Sequence, residues 1–146
     1  MPLIDLVVAD ETEAEAVGGA DAPTRTFPGI EAKDIDPVKL AKLALILDGV
    51  PLSTPAVLSA VKSFELLHER SDDGPWVHRV PDRVVAALGS LDEGRRAAVA
   101  GTWAGVEEFG RDGWDKPAVS RFLDSLCGLA EEARALGKGM LLWMSL

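Results

Sequence analysis

The densest local gathering of side chains able to do chemistry lies between residues 69 and 78. Glu69, Asp72 and Asp73 supply carboxylates, Trp76 an aromatic face and His78 an imidazole. Clustered carboxylates can bind a hard cation such as Mg²⁺ or Ca²⁺, but a calcium loop needs alternating oxygen ligands. Asp72-Asp73-Gly74 does not continue into that pattern, and Asp-Gly is ordinary hairpin chemistry, so the segment predicts no metal site. His68 and His78 are the only histidines, and opposed strands of a hairpin would bring them near one another. They fall short of the protein ligation of a structural zinc site. An imidazole acting as a general base needs a positioned nucleophile or substrate beside it. Ser71 is the nearest hydroxyl, and it lacks a Gly-x-Ser-x-Gly elbow. Asp72, Asp73, Trp76 and His78 are therefore a candidate ligand or partner site, with no catalytic residue, metal or cofactor assigned.

Two further clusters have both a structural and a functional explanation. Phe27-Pro28-Gly29-Ile30 with Lys33, Asp36 and Lys39 reads as a lead-in turn packed on a helix that Asp36 caps. Its functional reading is a small binding surface with Lys33 and Lys39 beside an exposed aromatic. No Gly-x-x-x-x-Gly-Lys-Ser/Thr phosphate loop occurs. The other cluster runs from Trp103 to Trp114 and includes Glu107, Glu108, Phe109, Arg111 and Asp112. Trp103 belongs to an apolar helix stripe. Trp114 stands just before a helix start, where a hydrophobic staple is expected; left exposed among acids, it would suit a protein interface instead. The single cysteine, Cys127, permits no intramolecular disulfide and falls in an apolar helical pattern, as a small core residue does.

The elements that must position these residues follow from periodicity and punctuation. Leu3 to Ala9 is a branched, apolar run broken by Asp5, which fits a strand. Glu11 to Val17 predicts a weak helix, and Phe27-Pro28-Gly29 a turn. Asp36-Pro37 opens a helix that stops near Asp48-Gly49, and Ser53-Thr54-Pro55 opens a shorter one to about Val61. Segments 64–70 and 76–80 read as a hairpin around Ser71–Pro75. Helices follow from Pro81-Asp82 through Leu88, from Asp92 to about Phe109, and from Asp115-Pro117 to a C-cap at Gly137. In the last helix Val119, Phe122, Leu123, Leu126, Ala130 and Ala133 share one face. Met140 to Met144 reads as a buried strand. The expectation is a single α+β domain over 1–146: a small sheet from the terminal strands and the hairpin, covered by about five helices. Its core should include Leu6, Val8, Leu40, Leu43, Leu47, Trp103, Phe122, Leu126 and Leu142.

The chain has 146 residues, 47% hydrophobic and 27% charged, which suits a globular domain with a real core. Its net charge is −9, from 24 acidic and 15 basic residues, which disfavours nucleic acid. The acid is loaded early: Asp5, Asp10, Glu11, Glu13, Glu15, Asp21, Glu31, Asp34 and Asp36 face only Arg25 and Lys33 in that stretch. That distribution reads as a solubilising surface or as a face for a basic protein partner. Met1-Pro2-Leu3-Ile4-Asp5 lacks the basic region of a signal peptide, and no apolar stretch is long enough to span a membrane, so the expected location is cytoplasmic.

The order of elements resembles that of small uncharacterised bacterial proteins of the YfbM-like type. The shared features are the strand Leu3–Ala9, the helix from Ile35-Asp36-Pro37 to Leu47-Asp48-Gly49, the helix Asp92–Phe109 and the closing strand Met140–Ser145. Ser71-Asp72-Asp73-Gly74-Pro75-Trp76 departs from that group. The resemblance implies an α+β fold and assigns no catalytic residue. Three functional classes follow from the chain as a whole. The favoured one is a non-enzymatic interaction domain, of inhibitor or immunity type, facing a basic protein partner. The others are a small enzyme or ligand-binding domain using Asp72, Asp73, Trp76 and His78, and self-association as a homodimer.

Overall fold

The computed structural model describes residues 3–146. Met1 and Pro2, part of the stretch read for a leader, lie outside them. Five strands form one sheet in the order β2-β1-β5-β4-β3, with every neighbouring pair antiparallel. They are β1 (Leu3–Val8), β2 (Gly29–Glu31), β3 (Leu66–Glu69), β4 (Trp76–Arg79) and β5 (Met140–Ser145). Seven helices accompany them: α1 (Ala14–Gly19), α2 (Pro37–Asp48), α3 (Thr54–Lys62), α4 (Asp82–Gly89), α5 (Glu93–Ala104), α6 (Glu107–Arg111) and α7 (Lys116–Ala135). The fold is α+β, and the two terminal strands pair along their whole length, from Leu3↔Ser145 to Val8↔Met140.

Strand alternation divides the apolar residues between two faces. Ile4, Leu6 and Val8 of β1, with Met140 and Leu142 of β5, join the main core formed with α2 to α7. Val7, Ala9, Val77, Leu141 and Trp143 point the other way, into a smaller core closed by Ala14 and Val17 of α1. A sheet apolar on both faces must be covered on both. The long amphipathic helices cover the first face, while α1 and the chain around 20–28 cover the second only in part. Leu6, Val8, Leu40, Leu43, Trp103, Phe122, Leu126 and Leu142 are buried as expected, and Leu47 is half-buried against the same core.

Two elements depart from the sequence-based expectation. Gly29, expected in a turn, begins the edge strand β2, and its backbone passes so close to β1 that a Cβ would sit 2.6 Å from the Leu6 carbonyl oxygen. The helix expected from Asp92 to Phe109 breaks at Gly105-Val106, where Val106 is extended (φ −71°, ψ 143°). That break turns Phe109 back onto Trp103, with ring centroids 4.9 Å apart in an edge-to-face contact.

The break also organises a buried lysine. Lys39 is fully buried. Its ammonium donates to the Asp34 carbonyl, pairs with Asp112 and lies 5.3 Å from the Phe109 ring centroid. Its own carbonyl accepts a 2.9 Å hydrogen bond from Trp103 Nε1. Asp34 adopts a left-handed φ of 63°, which short polar side chains tolerate and which belongs to the turn presenting that carbonyl. The reading of Lys39 as a cation beside an exposed aromatic is thus corrected: its apolar stem and its charge are both enclosed, because α6 and the following loop fold over it. Asp36 caps α2 as expected, accepting from the Lys39 backbone N–H at 2.9 Å.

The two partners of this ion pair differ in exposure, 0% for the lysine side chain and 38% for the carboxylate. Removing Asp112 strands a buried ammonium, whereas removing the ammonium leaves a carboxylate that water can reach. Asp112→Ala should therefore cost about 2–3 kcal/mol and Lys39→Met about 1 kcal/mol or less. Urea unfolding of the two variants beside the wild type checks the order.

Candidate functional site

The hairpin cluster does not converge. Asp72 and Asp73 are exposed at the loop tip, where Gly74 N–H donates to the Ser71 carbonyl at 3.0 Å. Trp76 and His78 are half-buried, opposite Met144 and Leu142 of β5, on the side of the sheet that carries the main core. No principal cavity is lined by any of these four residues. The expected proximity of the two histidines is corrected as well. A bulge shifts the register between Leu66 and His68, so that Leu66 faces His78 while His68 faces Val77. The extra residue turns His68 to the second face. There it packs so tightly on α1 that a Cβ at Gly18 would lie 2.2 Å from its Cδ2.

Trp114 stands at the position of a staple residue and packs on core aromatics. Its ring centroid lies 5.3 Å from Phe109 and 5.9 Å from Phe122, just ahead of the Asp115 cap of α7. Its remaining edge lines a shallow cleft with Lys33, Asp34, Asp112, Gly113 and Ala118.

The early acids meet different fates. Glu11 pairs with Arg79 at 3.0 Å, Glu13 with Lys138 at 2.7 Å, and Asp21 with Arg70 at 3.3 Å across an exposed contact. The hydrogen bond from Lys138, aided by the Asp10 backbone N–H, holds the Glu13 carboxyl below its ordinary range. Asp5 and Glu31 make no ion pair or side-chain hydrogen bond among the described residues. They stand directly opposite each other on β1 and β2, and Asp5 is in turn opposite Trp143 of β5. A single cross-strand row on the second face thus reads Glu31, Asp5, Trp143, Val77, His68.

Like charges directly opposite in an antiparallel pair repel. Here the repulsion is compounded by burial. Asp5 is only 8% exposed, and burial, with Glu31 adding to it, raises its carboxyl above the ordinary aspartate value. Trp143 beside it is 3% exposed, and its indole N–H has no acceptor among the described residues. These three residues line a cleft of about 280 Å³, completed by Leu3, Ile4, Asp21, Ala22, Thr24, Lys33 and Asp34. Its polar rim holds four carboxylates, Asp5, Asp21, Glu31 and Asp34, against one lysine, Lys33, which makes no ion pair among the described residues. No three His, Cys, Asp or Glu side chains are grouped as metal ligands among the described residues. An apolar lining that includes an edge of Trp143, beside the two carboxyls of Asp5 and Glu31, is a surface complementary to an organic cation. One sequence signal pointed here: Asp5 interrupts an apolar strand, a position where a charge is costly unless used.

Cys127 is buried as expected, and burial pushes its thiol pKa up, away from reactivity. No helix among the described residues is long and apolar enough to cross a membrane. The chain matches no protein-family model, no curated protein and no solved structure.

His78 carries a second consequence. Its Nδ1 is buried without a partner, and desolvation lowers its pKa from 6.5. Folding thus favours the neutral imidazole. Its contribution to stability is complete above pH 6.5 and is lost as the pH falls through the lower folded-state value. Wild-type stability should fall more steeply than that of His78→Leu as the pH drops below 6.5, measured as the difference between their urea midpoints.

Proposed function

We propose that the chain is a protein-interaction domain, of the inhibitor or immunity type, that captures a basic protein partner on the acidic cleft formed by β1, β2, β5 and the chain at 21–24. The observation that carries this reading is the imbalance at the cleft: four carboxylates to one lysine around an apolar floor, with only Asp21 reached by an arginine and with Asp5 and Glu31 unpaired among the described residues. Of the neighbouring early acids, Glu11 and Glu13 are matched by Arg79 and Lys138, while Asp21 at the cleft rim meets Arg70 only across an exposed contact. The net charge of −9 adds long-range attraction for a cationic surface. A cytoplasmic setting belongs to the same reading, since a lone, buried thiol suits a reducing compartment.

Charge reversal tests it. Capture from an extract of the native host should retain a basic protein in stoichiometric amount at low salt and release it as salt rises. The variant Asp21→Lys/Glu31→Lys should capture at least about tenfold less. A partner retained equally by both forms, or no stoichiometric partner, overturns the reading.

A further inference from the structure

The cleft holds more information than its charge. The row Glu31-Asp5-Trp143 places two carboxyls and an indole side by side, fixed by backbone pairing rather than by flexible loops. Two of these three residues are more than nine-tenths buried: the Trp143 N–H is a buried donor without an acceptor among the described residues, and the Asp5 carboxyl, which keeps a little access to solvent, has no side-chain partner there. Unsatisfied buried polar groups are rare in folded proteins and call for an explanation. A purely structural role offers none, because valine or isoleucine would fill a strand position facing Trp143 without repulsion from Glu31.

The chemistry of the gap restricts its occupant. An anion would meet four carboxylates. A small hard cation would require converging oxygen ligands, which are not grouped here among the described residues. A neutral apolar group would leave Asp5 and Glu31 unrelieved. A cation on an apolar stem answers each constraint: the charge sits between the carboxyls, and the stem lies on the tryptophan. A peptide group flanking that stem would meet the polar rim of the cleft, where Thr24 carries a hydroxyl. The volume, about 280 Å³, is of the size taken by one long side chain rather than by a folded surface.

We propose that the cleft is a receptor for a single lysine or arginine side chain of the partner, its ammonium or guanidinium held between Asp5 and Glu31 and its aliphatic stem against Trp143. The proposal rests on the interaction reading above and names the group that this reading leaves open. Entry of the cation favours the ionised Asp5 carboxyl, so at mildly acid pH binding releases a proton. Lys33, Asp21, Asp34 and Glu31 are the other charged groups lining the cleft, and Glu31 acts in the same direction on Asp5 in the empty state. Thr24 adds a hydroxyl at the rim.

The test follows the Trp143 indole N–H resonance, assigned with Trp143→Phe, while N-acetyl-lysine methylamide, its arginine counterpart, the uncharged norleucine counterpart and butylamine are titrated into the full chain. A lysine or arginine derivative should shift the resonance saturably. Asp5→Asn should weaken that binding by about tenfold or more. Norleucine should not bind, and butylamine should bind more weakly than the peptide-like cations.

Folding supplies the control. A raised folded-state pKa means that Asp5 contributes most to stability below its ordinary value of 3.8 and loses that contribution as pH rises. At neutral pH, Asp5→Asn should therefore match or exceed the wild-type melting temperature while binding worse, a combination that a merely structural aspartate would not give. An unmoved resonance, equal binding by Asp5→Asn, equal binding of norleucine or tighter binding of butylamine overturns the proposal. The two readings fail separately. Charge-dependent capture of a basic protein with an unmoved Trp143 resonance removes the side-chain receptor and leaves the interaction domain standing. A shifted resonance with no partner captured does the reverse.

Discussion

The enclosed ammonium of Lys39 is the constraint to which the largest number of separate segments answer. Taking an ammonium out of water costs several kcal/mol even after relaxation, and the structure offsets it with an ion pair, a carbonyl and an aromatic face. Those three groups come from Asp112 after α6, from Asp34 in the turn after β2, and from Phe109 on α6. Trp103 on α5 then fixes the same turn of α2 by bonding to the Lys39 carbonyl. The packing of α2, the break between α5 and α6, and the left-handed turn at Asp34 are one linked arrangement. The second ion pair between these elements, Lys42 to Glu108 at 2.5 Å, reinforces the α2–α6 contact a turn along.

That arrangement reaches the cleft. Glu31 ends β2, and Lys33 and Asp34 lie between it and α2, so the turn that Lys39 anchors carries part of the acidic rim. The other wall comes from the second face of the sheet. There α1 packs over β3, β4 and β5, while the turn at Pro23–Arg25 packs over β1 and β2. The gap between the rim and that turn exposes the part of the row containing Asp5. A helix long enough to cover the whole second face would have closed it. The concavity is therefore a result of unequal coverage: five strands, large helices on one side and a short helix with a turn on the other.

Charge is sorted in the same spatial way. Glu11, Glu13 and Asp21, adjacent in the chain to Asp5 and Glu31, are matched by basic residues from β4, the α7–β5 connection and the hairpin. Exposed pairs of this kind add little to stability. Their consequence is electrostatic: Glu11 and Glu13 are neutralised on the flanks, while Asp5 and Glu31 in the cleft have no ion-pair partner among the described residues.

The element plan was legible in the chain because it depends on local rules. Pro at the first helical position after Asp36, Ser and Asp caps, Gly after α2 and α7, and the apolar stripe of α7 act within a few residues. Terminal strands sharing a sheet followed from two apolar runs that each needed a partner. Register was not legible. The bulge at β3 that separates His68 from His78, and the pairing that sets Asp5 between Glu31 and Trp143, depend on long-range alignment of strands, and a shift of one residue would send every side chain to the other face. The hairpin residues Asp72, Asp73, Trp76 and His78 are close in sequence and do not converge in space. Asp5 and Trp143 stand near opposite ends of the chain and meet only because β1 and β5 pair. By itself the sequence determined most of the helices, four of the five strands, the acidity and the odd aspartate in an apolar strand; the edge strand β2 and the break between α5 and α6 came only with the fold. Only the tertiary structure decided which acids were matched, which lysine was enclosed and which carboxyls remained without a partner, because these depend on which distant segments are brought together.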